Sequence, residues 1–173
     1  MFSPPTVNGV TNPPINGQLK EYSMSYMQII TPITPELTCS SIKASLSFYT
    51  ETLGFKIQYQ REEEGFAMLE RQDARIMLDE IKKDALVGIG RTWLSGPLER
   101  PFGRGMNLEI QTIKVNELYN RVQKADANIF LPIEEKWYRI NQIEICNRQF
   151  IVLDPDGYML RFSECLGERQ AGI

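Results

Sequence analysis

The segment Glu134-Glu135-Lys136-Trp137-Tyr138-Arg139 sets an indole and a phenol beside two carboxylates and two cations. Trp93 and Phe102 add large aromatics to a second stretch, broken by Gly90, Gly96, Pro97, Pro101 and Gly103. Glu109 and Arg161 stand in segments that read as strands. Aromatic faces next to carboxylates capture flat cationic groups by stacking and charge. Arg104, Arg139 and Arg161 suit the opposite guest, a carboxylate or other anion gripped bidentately, unless Arg104 and Arg139 merely solvate the surface. Both chemistries stay open on the residues alone. The sequence contains no histidine, which removes Ser-His-Asp and Cys-His catalysis, His general bases and His-built metal sites together. Cys39, Cys146 and Cys165 are three widely spaced thiols, an odd set that argues against a disulfide framework. Cys39 and Cys165 fall in predicted strands and read as small core residues. With no His partner or helix N-terminus beside them, no thiolate nucleophile is assigned.

The elements that carry these residues form a repeat. Glu36-Leu37-Thr38-Cys39 alternates like a strand, Ser40-Ser41 offers helix caps, and Ile42, Leu46, Tyr49 and Leu53 recur at helical spacing until Gly54 ends the helix. Phe55 to Tyr59, Phe66 to Leu69 and Arg75 to Leu78 read as three strands separated by charged turns, giving β-α-β-β-β. The order then recurs. Met106 to Ile110 is a strand, Asn116 caps a helix carrying Val115, Leu118, Tyr119, Val122 and Ala125, and Asn128 to Leu131, Phe150 to Leu153 and Tyr158 to Phe162 supply three more strands. At one constant offset Phe66 and Leu69 fall on Phe150 and Leu153, and Ile76, Leu78 and Glu80 fall on Leu160, Phe162 and Glu164. The surplus of the second copy lies in 133–148 and holds Trp137, while Trp93 lies in the segment between the copies, so both tryptophans fall in irregular segments; alternatively Trp137 and Tyr138 alternate along a long hairpin with one of them in the core. Repeats of this size bury no sheet face alone, so the two should pack together.

Composition limits the reading further. Hydrophobic residues at 42% and charged residues at 24% are globular values. A net charge of -3 lacks the basic surplus that phosphate contacts need, so no nucleic-acid partner is expected. No apolar run is long enough for a membrane span, and the start lacks a secretory pattern, so a cytoplasmic protein without membrane contact is expected. Residues 1–33, with Pro4, Pro5, Pro13, Pro14 and Pro32, read as a flexible N-terminal extension. A single domain is expected over 34–170: module one at about 34–87, a linker at 88–104, module two at 105–166.

Two motifs at the ends of this repeat resemble a known family. Ser45-x-x-Phe48-Tyr49-x-x-x-Leu53-Gly54-Phe55 is similar to the opening signature of a vicinal-oxygen-chelate (glyoxalase and bleomycin-resistance) domain, and Asp154-Pro155-Asp156-Gly157-Tyr158-x-Leu160 to its closing turn. The resemblance covers about 35–166. It implies an α+β fold of two tandem βαβββ modules forming a curved mixed sheet with a cleft, usually within a homodimer. Physically, Phe48 and Tyr49 read as core anchors, and Asp154 to Gly157 as a turn in which Pro presets φ and Gly supplies a positive one.

Metal-dependent members of the family bind a divalent ion at positions that fall here on Thr34, Gly105 and Arg161. A hydroxyl, no side chain and a permanently charged guanidinium make no such site; Glu36 and Glu80 are a weak remainder for a loosely held, largely hydrated ion. Hence no cofactor, no metal ligand and no catalytic residue are expected. The chain is instead similar to the metal-free bleomycin-resistance type, which sequesters a bulky cationic glycopeptide in a groove of aromatics and acids. The resemblance implies a small-molecule ligand, with Trp137, Tyr138, Arg139, Trp93, Phe102, Glu109 and Arg161 as binding residues. The alternative is an enzyme of the same fold, a lyase, isomerase or dioxygenase-like protein, acting on a small metabolite.

Overall fold

The protein is described here by a computed structural model that covers residues 33–82, 94 and 96–172. The extension expected at 1–33, apart from Ile33, and the candidate residue Trp93 lie outside them.

Two βαβββ units follow one another. The first is β1 (Glu36–Cys39), α1 (Ile42–Ser47, continued by a π-helical stretch Phe48–Thr52), β2 (Lys56–Arg61), β3 (Phe66–Arg71) and β4 (Ala74–Glu80). The second is β5 (Asn107–Gln111), α2 (Val115–Lys124), β6 (Ile129–Ile140), β7 (Ile143–Leu153) and β8 (Met159–Gln170). Each forms a four-stranded mixed sheet, in the orders β1-β4-β3-β2 and β5-β8-β7-β6. The first strand pairs parallel with the last, and the remaining pairs are antiparallel. This is the expected α+β repeat. Alternation sends Leu37, Ala67, Leu69, Ile76 and Leu78 of one sheet, and Ile110, Phe150, Val152, Leu160 and Phe162 of the other, into one core with Tyr49 and Leu53 of α1 and Val115, Leu118 and Val122 of α2.

The superposition of the two units needs one correction. In β3 and β4 Leu69 faces Ile76, whereas in β7 and β8 Val152 faces Leu160. The turn after β7 is therefore one residue longer, and the partners of Ala67 and Leu69 are Phe150 and Val152. A one-residue slip moves a side chain to the opposite face, so Phe150 is core while Phe66 lies on the other side of its sheet. The matches of Ile76, Leu78 and Glu80 to Leu160, Phe162 and Glu164 stand, and the two glutamates do the same work. Glu80 Oε1 accepts from Ile42 N (3.1 Å) at the start of α1, and Glu164 accepts from Lys114 N (3.1 Å) and Val115 N (3.0 Å) at the start of α2. Each satisfies exposed helix N–H groups with an anion placed where the helix dipole favours one. Ser41 Oγ adds the expected cap to α1, accepting from Ala44 N at 3.3 Å. Asn116 does not cap α2, because the cap comes from β8 across the sequence.

The surplus at 133–148 is regular, not irregular. It extends β6 and β7 into a long hairpin that turns after Ile140, with a bulge between Leu131 and Glu134. Cross-strand ion pairs, Arg148 with Glu135 (2.5 Å) and Arg169 with Glu144 (2.7 Å), explain why so charged a segment sustains a ladder.

Cys39 and Cys146 are buried and Cys165 is exposed. Burial, more than the nearby Asp156, Glu80 and Asp154, pushes the Cys39 thiol up to about 12. An aromatic disulfide reagent at pH 8 should therefore label Cys165 in the folded protein, and Cys39 and Cys146 only on unfolding. The unfolded Cys39 ionises near its ordinary 9.0. Its contribution to stability is thus full below that pH and is lost as pH rises toward 12. Rapid labelling of all three thiols in the native protein would contradict this placement.

Candidate functional site

Because the core takes one face of each sheet, the alternate residues face away from it. On the second sheet Glu109, Arg161, Ile151 and Leu131 form one row across β5, β8, β7 and β6, and Gln111, Ser163, Gln149 and Glu134 form the next. These residues make a connected polar surface. Arg161 pairs with Glu109, whose other oxygen accepts from Ser163 Oγ at 2.8 Å. Gln149 Nε2 donates to Glu134 Oε1 (2.9 Å) and to Tyr138 Oη (2.7 Å). Gln149 is only 2% exposed. Yet its Oε1, and the Nε of Arg161, are buried without a hydrogen-bond partner among the described residues. A buried orphan costs about 1–3 kcal/mol, so this acceptor and this donor on neighbouring strands leave the outward face incompletely satisfied. A cavity of about 680 Å3 opens at the β5 side of this sheet, with Glu109, Gln111, Ser163, Asn147 and Cys165 in its wall, the first and third of them hydrogen-bonded to each other. That volume suits a small organic molecule.

The corresponding face of the first sheet is apolar and acidic. Glu36, Met77, Met68 and Tyr59 form one row, and Thr38, Asp79, Phe66 and Arg61 the next. Tyr59 stacks on Phe66 at 6.0 Å, and the Arg61 guanidinium lies 3.8 Å from the Phe66 ring centre. Burial raises the Asp79 carboxyl above its ordinary range. Burial also raises Glu36, with the charge of Asp79 adding to the effect. Two carboxyls held up in this way, beside thioethers and rings, would be relieved by a cation.

Of the residues singled out in sequence, Tyr138, Glu109 and Arg161 share the outward face of the second sheet. Trp137 and Arg139 take the alternate positions of β6 and point to its other side. There Trp137 is 39% exposed, with the Arg169 guanidinium 3.9 Å from its ring centre, and Arg139 Nε donates to Asn141 O at the hairpin tip. Phe102 packs against the core under Arg100. Glu134, one of the two carboxylates noted in the 134–139 segment, joins Tyr138, Glu109 and Arg161 on the outward face, whereas Gln149, Ser163, Tyr59, Phe66 and Asp79 were not anticipated as site residues. The parity of Phe66-x-Met68 and of Met77-x-Asp79 against the core leucines was the available signal.

This face does not fit a divalent metal. The guanidinium of Arg161 occupies it and engages the nearest carboxylate, Glu109, while Glu80 is committed to α1. Among the described residues no three acidic or thiol side chains converge as ligands.

A fold of two βαβββ units with a polar, partly unsatisfied outward face defines a class, and sequence comparison gives the same one. The family model described as Glyoxalase/Bleomycin resistance protein/Dioxygenase superfamily matches residues 29–162. The chain belongs to that superfamily. It is similar to a bleomycin resistance protein from Geobacillus stearothermophilus, 27% identical over 139 residues that cover 74% of this chain and 92% of that protein. A bleomycin resistance protein from Staphylococcus aureus matches to the same extent. Among solved structures, TioX from Micromonospora sp. ML1 superposes with a TM-score of 0.57 at 18% identity, covering 78% of this chain and 98% of TioX. A glyoxalase/bleomycin resistance protein/dioxygenase from Nocardioides does so with a TM-score of 0.56 at 20% identity, covering 91% and 99%. At these identities the structural likeness speaks for the fold. No helix among the described residues is long and apolar enough to cross a membrane.

Proposed function

We propose that the outward sheet faces bind and sequester a bulky small molecule of the bleomycin class without chemical change. The observation that carries the reading is the roomy cavity walled by Glu109 and Ser163, continuous through their hydrogen bond and ion pair with the polar outward face that Arg161, Gln149, Glu134 and Tyr138 build. A glycopeptide offers amide donors and acceptors to this polar face, and a cationic group suits Glu109 and Glu134 or the raised carboxyls Glu36 and Asp79. Similarity to bleomycin resistance proteins supports the same ligand class. The reading includes a homodimer, because edge strands such as β2 and β6 leave backbone groups that a second copy can pair or cover.

Calorimetric titration of the full chain with bleomycin should show saturable binding of roughly one ligand per chain. Tyr138→Ala should weaken it by about 10- to 100-fold, as removal of an interface anchor does. Glu109→Gln should weaken it and flatten its salt dependence, since that carboxylate is the nearest charge to Arg161. No saturable heat at submillimolar bleomycin would sink sequestration as the function.

A further inference from the structure

A second cavity, of about 540 Å3, lies where the end of the first sheet meets α2, and its wall holds Lys56, Glu70, Arg71, Lys114, Glu117 and Arg121. Its charges do not balance. Glu70 is taken by Arg75 at 2.9 Å and Glu117 by Lys114 at 3.1 Å. Among the described residues, Lys56, Arg71 and Arg121 form no ion pair. Arg71 is the unusual one. It is half-buried, and among the described residues its guanidinium donates to neutral acceptors, Thr112 Oγ1 at 2.7 Å and Gln72 Oε1 at 3.4 Å. Burial weakens its hold on its proton, and the like charge of Arg121 adds to that. A desolvated cation that faces a second cation is costly unless an anion joins them.

Arg121 is held in place from the other side. Its Nη2 donates to Leu53 O at 3.1 Å, at the end of α1. It occupies the space above Gly54, where a Cβ would come within 3.0 Å of the guanidinium. One guanidinium fixed by Thr112 and another fixed by Leu53 form an arrangement with donors to spare, and among the described residues neither is paired with a carboxylate. Planar guanidinium groups match the oxygen geometry of phosphate and carboxylate.

We propose that this cavity is a binding site for a small doubly charged oxyanion, a phosphate ester or a dicarboxylate, held between Arg71 and Arg121 with Lys56 at the rim. It is separate from the Glu109–Arg161 surface, and it does not rest on the sequestration reading. The ligand would bridge the two modules, since Arg71 belongs to β3 and Arg121 to α2.

The test is calorimetric titration of the full chain at pH 8 with inorganic phosphate and, separately, with succinate, both dianions at that pH. The arm that saturates distinguishes a phosphate from a dicarboxylate site. Saturable binding by either, weakened about 10- to 100-fold in Arg71→Gln and in Arg121→Gln, is the expected result. Lys56→Gln, a surface change that leaves the fold alone, should weaken it by a smaller factor, and added salt should weaken it throughout. Absence of saturation at millimolar concentrations of both anions would overturn the proposal. So would binding that survives both arginine substitutions, or that is lost instead in Arg161→Gln.

Discussion

Replacing Asp154 with alanine should cost about 3 kcal/mol of folding stability or more, among the largest effects of any single polar substitution in this chain. Asp154 is buried at the turn between β7 and β8 and accepts three hydrogen bonds. Its Oδ1 takes the N–H groups of Asp156 and Tyr158, both at 2.9 Å, and its Oδ2 takes the hydroxyl of Tyr49 at 3.2 Å. Tyr49 comes from α1 of the other module and is wholly buried, so alanine would strand a hydroxyl that no water reaches. Each stranded donor costs about 1–3 kcal/mol. The full sum is not expected, because burial raises the Asp154 carboxyl despite its donors, and removing an incompletely compensated carboxylate returns part of the loss. Tyr49→Phe is the informative companion. It strands no donor, but it takes from the buried Asp154 Oδ2 the partner that Tyr49 supplies while leaving the two bonds to Oδ1, so about 1–2 kcal/mol is expected. Urea denaturation followed by circular dichroism would measure both. An Asp154→Ala protein within 1 kcal/mol of the parent would show that the module contact does not depend on this carboxylate.

The same turn shows why so much of the fold was legible in the sequence. Asp154-Pro155-Asp156-Gly157 announces a reversal through residues whose backbone preferences are local: Pro fixes one φ, and Gly157 accepts φ +90. The helix over Ile42 to Leu53 and the strands with Leu37, Leu69, Leu78, Phe150 and Phe162 were likewise written in periodicity. What escaped was set by partners distant in sequence. Glu164 caps α2 from β8, so Asn116 looked like the natural cap. The charged surface of 133–148 concealed a ladder that is stabilised across the hairpin by Arg148 on Glu135 and from β8 by Arg169 on Glu144. The candidate site divided in the same way. Tyr138, Glu109 and Arg161 were picked for their chemistry and fell on one face, whereas Trp137 fell on the other because a strand alternates its neighbours. Gln149 was invisible in sequence, since its importance lies in an oxygen that the fold buries without a partner.

Gly103→Ala should be about as damaging as Asp154→Ala, by a steric route. Residues 99–103 lie as a strap on the closing turn, where Arg100 Nη2 meets Asp156 Oδ1 at 2.9 Å and Phe102 N donates to Asp156 O at 2.8 Å. Asp156 in turn accepts from Ser40 N at 2.9 Å, which ties strap, turn and first module together. A Cβ on Gly103 would stand 2.5 Å from Tyr158 Cα and 2.7 Å from Gly157 O. Both are backbone atoms, so no side chain can swing away, and either the strap lifts or the turn shifts. Overpacking of this kind costs up to about 3 kcal/mol when the neighbours cannot yield, which for a chain of this length lowers the melting temperature by about 6–12 °C. The control lies in the same stretch. Gly96 has nothing within 4 Å of its Cβ position, so Gly96→Ala should stay within about 0.5 kcal/mol of the parent. The damage should also reach the ligand face, because β8 begins at Met159 and carries Arg161 two residues further on. Bleomycin titration below the lowered melting temperature should therefore give weaker binding in Gly103→Ala than in Gly96→Ala. Equal melting temperatures for the two variants would mean that the strap is not seated on the turn, and that Arg161 is positioned by the sheet alone.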